Sequence, residues 1–137
     1  MDAVLQQRIS EAGQRLAGQL GAFDVARIPG EVVVFKVEIT GREELPIFIT
    51  QADSQILCIC YLWTESDIAP SRRTALLEAM LDLNIAIPLS SFGRIGDKYL
   101  IYGALACEAG ADDLAQDLLA LSDNAVDALE AMAEYLH

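Results

Sequence analysis

The sequence predicts a single α+β domain in which helices flank a largely antiparallel sheet. Three observations carry that expectation. Apolar residues recur at steps of three and four near both ends and in the middle of the chain, and at steps of two in between. The strand-like stretches are joined by short turns, which link antiparallel neighbours and not parallel ones. No repeat, linker or low-complexity tract divides the 137 residues, so 1–137 reads as one domain.

The elements follow in order. Leu5, Ile9, Ala12, Leu16 and Leu20 form one apolar stripe on a first helix that Gly21 can terminate. From Phe23 the period is two, and after Pro29-Gly30 the run VVVFKVEI sets Val33, Phe35, Val37 and Ile39 on one side of a strand. LPIFIT supplies a second strand whose Pro46 suits a strand start or an edge. Ile56 to Trp63, apolar at every position, reads as a third strand covered on both faces, or covered by a partner subunit. Pro70 opens a second helix carrying Leu76, Leu77, Met80, Leu81 and Leu83 and ending near Asn84. Gly96-Asp97 is the turn of a hairpin with strands near 87–95 and 98–107. Leu114, Leu118, Leu121, Ala125, Leu129, Met132 and Leu136 then share a stripe on a last helix, jointed at a second cap, Ser122-Asp123. The expected order is α-β-β-β-α-β-β-α.

Composition narrows the function. With 21 acidic against 9 basic residues, the net charge is -12, which repels nucleic acid and anionic membrane surfaces. No Lys or Arg follows Lys98. The N-terminus has no basic segment followed by an apolar run, and the longest apolar stretch is too short to span a bilayer, so a cytoplasmic protein without direct membrane insertion is expected. Three cysteines, Cys58, Cys60 and Cys107, read as free thiols.

The segment NIAIPLSSFGRIGDKYLIYGALA, with LPIFIT before it and DNAVDALEAM after it, resembles the YjfI family of uncharacterised bacterial proteins. The element order also resembles that of type III secretion chaperones, small acidic homodimers that bind other proteins. The first resemblance implies a supporting role beside an envelope-stress system, because members are commonly encoded near phage-shock-like proteins. It transfers no catalytic or binding residue.

The residues themselves show no catalytic constellation. The single histidine is the last residue, His137, so Ser90 and Ser91 lack an internal base, and Gly93, Gly96 and Gly103 match no phosphate-binding spacing. Glu43-Glu44 reads as a solvated turn pair. Cys58 and Cys60 form a C-x-C pair that is short of ligands for a metal and fits buried small hydrophobes. Two surfaces remain. One is the acidic face of the last helix, with Asp113, Asp117, Asp123, Asp127, Glu130 and Glu134, which serves either solubility or a basic partner. The other is a candidate dimer interface of Trp63, Leu76, Leu77, Met80 and Leu81, equally readable as core.

The sequence therefore predicts a non-enzymatic, homodimeric protein-binding module of chaperone-like or adaptor type, with no cofactor. The alternative is a small-molecule or metal-responsive sensor using Cys58 and Cys60.

Overall fold

The computed structural model describes residues 2–137. Helix α1 (Asp2–Arg15) leads into strands β1 (Phe23–Arg27), β2 (Val34–Ile39), β3 (Ile47–Gln51) and β4 (Gln55–Thr64). Helix α2 (Arg73–Ala86), strands β5 (Ser91–Ile95) and β6 (Lys98–Ala106), and helix α3 (Ala111–Met132) complete the chain. The predicted class holds: three helices accompany one fully antiparallel sheet, ordered β1-β2-β3-β4-β6-β5.

The strand count before α2 is four, not three. Phe23–Arg27 shows too short an alternation to stand out alone, yet it pairs with β2 from Phe23↔Ile39 to Arg27↔Phe35. The first helix also stops earlier than its stripe suggests. It ends at Arg15, and the turn that follows uses Gly18 at φ 93, a left-handed conformation that glycine adopts without strain. Gly21 serves close packing instead of capping, because a Cβ there would overlap the carbonyl oxygen of Thr40.

The ladder registers sort the sheet into two faces. Phe35, Val37, Ile39, Ile47, Ile49, Ile56, Cys58, Cys60 and Ile101 point toward the helices and are buried. The other face carries Lys36, Phe48, Tyr61 and Tyr102, none of them buried, together with Ile59 and Leu100, which are buried. Strand β4 has apolar residues in both phases before a bulge between Tyr61 and Trp63, which inserts Leu62 and swings Trp63 onto the helical side. There Trp63 stacks on Tyr99, ring centroids 6.4 Å apart.

Helix α3 is continuous over 22 residues, so Ser122-Asp123 is not a second cap. Ser122 is buried, and its hydroxyl accepts a 2.8 Å hydrogen bond from Arg42 Nη1, which also contacts Asp123 at 2.8 Å. Those two residues pin the β2–β3 turn to the helix. Leu114, Leu118, Leu121 and Ala125 bury fully on β4 and β6, each leucine contributing about 1.5–3 kcal/mol. Replacing Gly21→Ala forces the Thr40 backbone away, and a loss of roughly 1–3 kcal/mol is expected in chemical denaturation. An unchanged midpoint would show that the β1–β2 edge yields freely.

Candidate functional site

Helix α2 is held at its two ends and little in between. At its start, Arg73 Nε donates a 2.8 Å hydrogen bond to Glu65, and the Tyr99 hydroxyl donates another of 2.8 Å to the same carboxylate. Arg73 and then Tyr99 hold the Glu65 carboxyl below its ordinary range. Toward its end, Asn84 Oδ1 accepts the Phe92 backbone N–H at 2.6 Å, tying the helix to edge strand β5. Between these clamps only Leu76 and Met80 are buried.

The outward face of α2 carries large apolar side chains beside Glu78 and Asp82. Leu81 is 69% exposed and Ile85, one turn later, is 92% exposed. Leu83 and Leu89 follow on the same short segment, so four of the eight exposed large hydrophobics among the described residues fall within 81–89. A scatter of single exposed leucines needs no explanation, whereas a concentration of this kind marks a surface that another molecule covers. Two clefts flank the helix. One of about 270 Å3 lies between Leu77, Leu81 and Phe92, and one of about 260 Å3 lies between Leu83, Pro88 and Asp127.

The sequence-predicted interface is therefore divided. Trp63, Leu76 and Met80 lie in the core at 4%, 0% and 5% exposure, Leu77 is half-buried, and Leu81 alone is open. Periodicity could not separate them, since a helix that is apolar on more than half its circumference gives one signal for core and surface alike.

The acidic face is divided too. Asp113, Asp127, Glu130 and Glu134 are exposed, and Asp123 is spent on Arg42. Asp112, which the sequence reading did not place on this face, pairs with Arg15 at 2.7 Å. Asp117 is the correction: it is 4% exposed and turned toward the sheet. Its carboxylate fills the space above Gly103, where a Cβ would collide with it, and its Oδ2 has no hydrogen-bond partner. Burial pushes its pKa up to about 6. The missing side chain at Gly103 is the only sequence signal that an opposing residue needs room there.

The thiols are placed as small hydrophobes. Cys58 and Cys60 share the helical face and are fully buried. Burial and the neighbouring Asp117 raise the Cys58 pKa far above the thiol range, and burial pushes that of Cys60 up to about 12. Both are protonated at neutral pH and are neither nucleophiles nor ready ligands in this conformation. Among the described residues no group of His, Cys, Asp and Glu could hold a metal ion. Ser90 is buried beside Asn124, whose amide donates to its hydroxyl at 3.1 Å, so no base activates it.

Against this geometry, the family of uncharacterised proteins conserved in bacteria known as DUF2170 matches residues 5–136. The chain belongs to that family. Among solved structures it is similar to YbjN from E. coli, a proposed transcription regulator, with a TM-score of 0.67 and 15% identity over 99% of this chain and 94% of that one. It is also similar to an uncharacterized protein from Methanothermobacter thermautotrophicus, with a TM-score of 0.65 and 14% identity over 100% of both chains. No curated protein matches it. At these identities the likeness establishes a shared fold. No helix among the described residues is long and apolar enough to cross a membrane.

Two outcomes follow for this DUF2170 protein. A thiol-reactive dye should label one cysteine per native chain, Cys107, and three after unfolding; fast labelling of Cys58 or Cys60 would mean that α3 lifts from the sheet. Asp117 also has a higher pKa when folded than the ordinary carboxyl value near ~4. The folded chain thus holds a proton that the unfolded chain has lost, so stability falls by about 3 kcal/mol as pH rises from ~4 to ~6 and stays lower above that. Asp117→Asn should raise the unfolding midpoint at about pH 8, with the gain fading toward ~4. A pH-independent difference would remove the buried charge as its cause.

Proposed function

We propose that this protein is a non-enzymatic binding module that captures an amphipathic segment of another protein along α2. The observation that carries this reading is the cluster of exposed Leu81, Leu83 and Ile85, flanked by two clefts. The helix-in-groove mode of recognition needs such apolar ridges and grooves, read by the partner at helical spacing. Charge selects the partner's polar side. Asp82 sits between the exposed leucines and Asp127 borders one cleft, within a chain of net charge -12. A segment bearing Lys or Arg beside its apolar residues fits that rim, and a second copy of this anionic chain fits it less well.

Other features agree with a binding role. The thiols are buried, Ser90 has no activating base, and the single histidine is terminal. The net charge disfavours direct DNA contact, so if the regulatory description of YbjN extends to this family, regulation would run through a protein partner. The YjfI resemblance supplies a proposed setting, an adaptor beside an envelope-stress system.

A photo-crosslinking residue placed at Leu81 or Ile85 in the native bacterium tests the proposal, with the same residue at Ile95, on the opposite sheet face, as control. One discrete adduct from Leu81 and Ile85, absent from Ile95, is expected. With the crosslinked partner purified, Ile85→Glu should weaken binding by about tenfold or more while leaving the unfolding midpoint unchanged. Met80→Glu should instead unfold the domain, because Met80 is core. An adduct of twice the chain mass replaces the adaptor with a homodimer, and no adduct at either position removes this surface as the site.

A further inference from the structure

The sheet has two edges, and the fold treats them differently. At β5 the outward Phe92 N–H is capped by Asn84 Oδ1 at 2.6 Å, which blunts that edge. At β1 no such cap exists. The Ala22 carbonyl accepts from the Thr40 N–H and the Ile28 N–H donates to the Val34 carbonyl, so the alternate residues Phe23 and Val25 turn their N–H and C=O groups away from β2. Among the described residues those groups find no partner, and the strand is exposed or half-buried along its whole length. An open row of this kind is a template for another strand.

Beside the same edge lies a cleft of about 540 Å3. Gly13, Ala17 and Gly18 form the wall toward α1, and Phe23 and Val25 form the wall toward β1. No ionisable side chain borders it, so it accepts hydrocarbon that arrives with an added strand.

Charge selects the strand's source. Residues 1–42, which hold α1, β1 and β2, carry five acidic and five basic side chains, whereas the rest of the chain carries 16 and four. The entire net charge of -12 thus belongs to the later part of the chain, and a second copy meets a balanced surface at β1. Exposed charges farther away than about 10 Å are largely screened at physiological salt.

We propose that β1 is a self-pairing edge: two copies join their β1 strands antiparallel about a twofold axis at Val25, and the sheet continues from one copy into the other. Val25 is the central residue of the five-residue strand and one whose backbone groups point outward, so the two valines exchange both hydrogen bonds. In this register Asp24 stands opposite Ala26 and Phe23 opposite Arg27, so no like charges face one another. Phe23 and Val25 lie on the helical side of the sheet, opposite Ile39 and Val37, and from the second copy they enter the cleft beside α1. The contact is self-complementary, as a twofold interface requires. It leaves Leu81 and Ile85 free and does not depend on the α2 reading.

Sedimentation equilibrium of the full chain at physiological salt tests the register through Ala26, which is exposed, faces Asp24 of the second copy, and stands beside Lys36 of its own chain. A dimer is expected. Ala26→Lys sets a cation against each Asp24 and should tighten it by about threefold or more, and Ala26→Asp sets carboxylates opposite and should weaken it by a similar factor. Within one chain the signs reverse, because the neighbour there is Lys36, so a change in fold stability alone would move the two variants the other way. Ile95→Lys and Ile95→Asp, on the far edge, should shift dimerisation by less than about twofold. A monomer at every concentration up to about 1 mM, a dimer indifferent to both Ala26 variants, or equal shifts at Ile95 would overturn the proposal. So would a dimer abolished by Ile85→Glu, which would move the contact to α2.

Discussion

Much of this fold is positioned against α3, on which α1, β4 and β6 pack directly. The helix lies across β4 and β6, the two longest strands, and its buried row closes the core over Cys58, Cys60 and Ile101. From that seat it reaches outward through polar side chains. Asp112 holds the end of α1 through Arg15, Ser122 and Asp123 hold the β2–β3 turn through Arg42, and Asn124 donates to the Pro88 carbonyl at 2.9 Å. Several of these pairs are exposed, where each is worth less than about 1 kcal/mol. Their value is positional: they connect loops far apart in sequence to one rigid axis.

The consequence for α2 is the reverse. It sits near the sheet's edge beside β5, outside the region that α3 covers, and it rests on two buried residues plus clamps at Arg73 and Asn84. A helix needs no broad apolar face for so narrow a contact. Leu81, Leu83 and Ile85 thus exceed what folding requires, and the excess faces solvent between two clefts. The physical cost of keeping apolar surface in water, about 25 cal/mol per Å2, is a standing drive toward a partner.

How much of this was legible in the sequence depends on whether period or proximity carried the information. The stripe of α1, the alternation of β2, and the Gly96-Asp97 hairpin follow from period, and each appears where expected, within a few residues. The period of two from Phe23 does not by itself separate β1 as a strand of its own, because five residues give little period and its existence depends on pairing with β2. Strand β4 is apolar in both phases, and burial on both sides follows near its middle, where Ile59 is buried on the face away from the helices as Cys58 and Cys60 are on the face toward them. Site residues fared worse. Asp117 falls on the polar side of the α3 stripe by helical phase, yet it is buried, because Gly103 leaves a hollow in β6 beneath it. No spacing rule within one helix encodes a vacancy on a strand fourteen residues earlier.

That vacancy also fixes the sense of the electrostatics. An aspartate above a glycine could be accommodated with a hydrogen-bond donor beside it, and the fold provides none: the neighbours on β4 and β6 are a thiol and a bare Cα. The chain therefore carries a carboxylate whose ionised form is opposed by burial. A structural role for Asp117 would be served better by asparagine or serine, which fill space without carrying charge. Asp117 is nonetheless held in place by packing above Gly103, and the proton it keeps up to about pH 6 lessens the cost of burying it there.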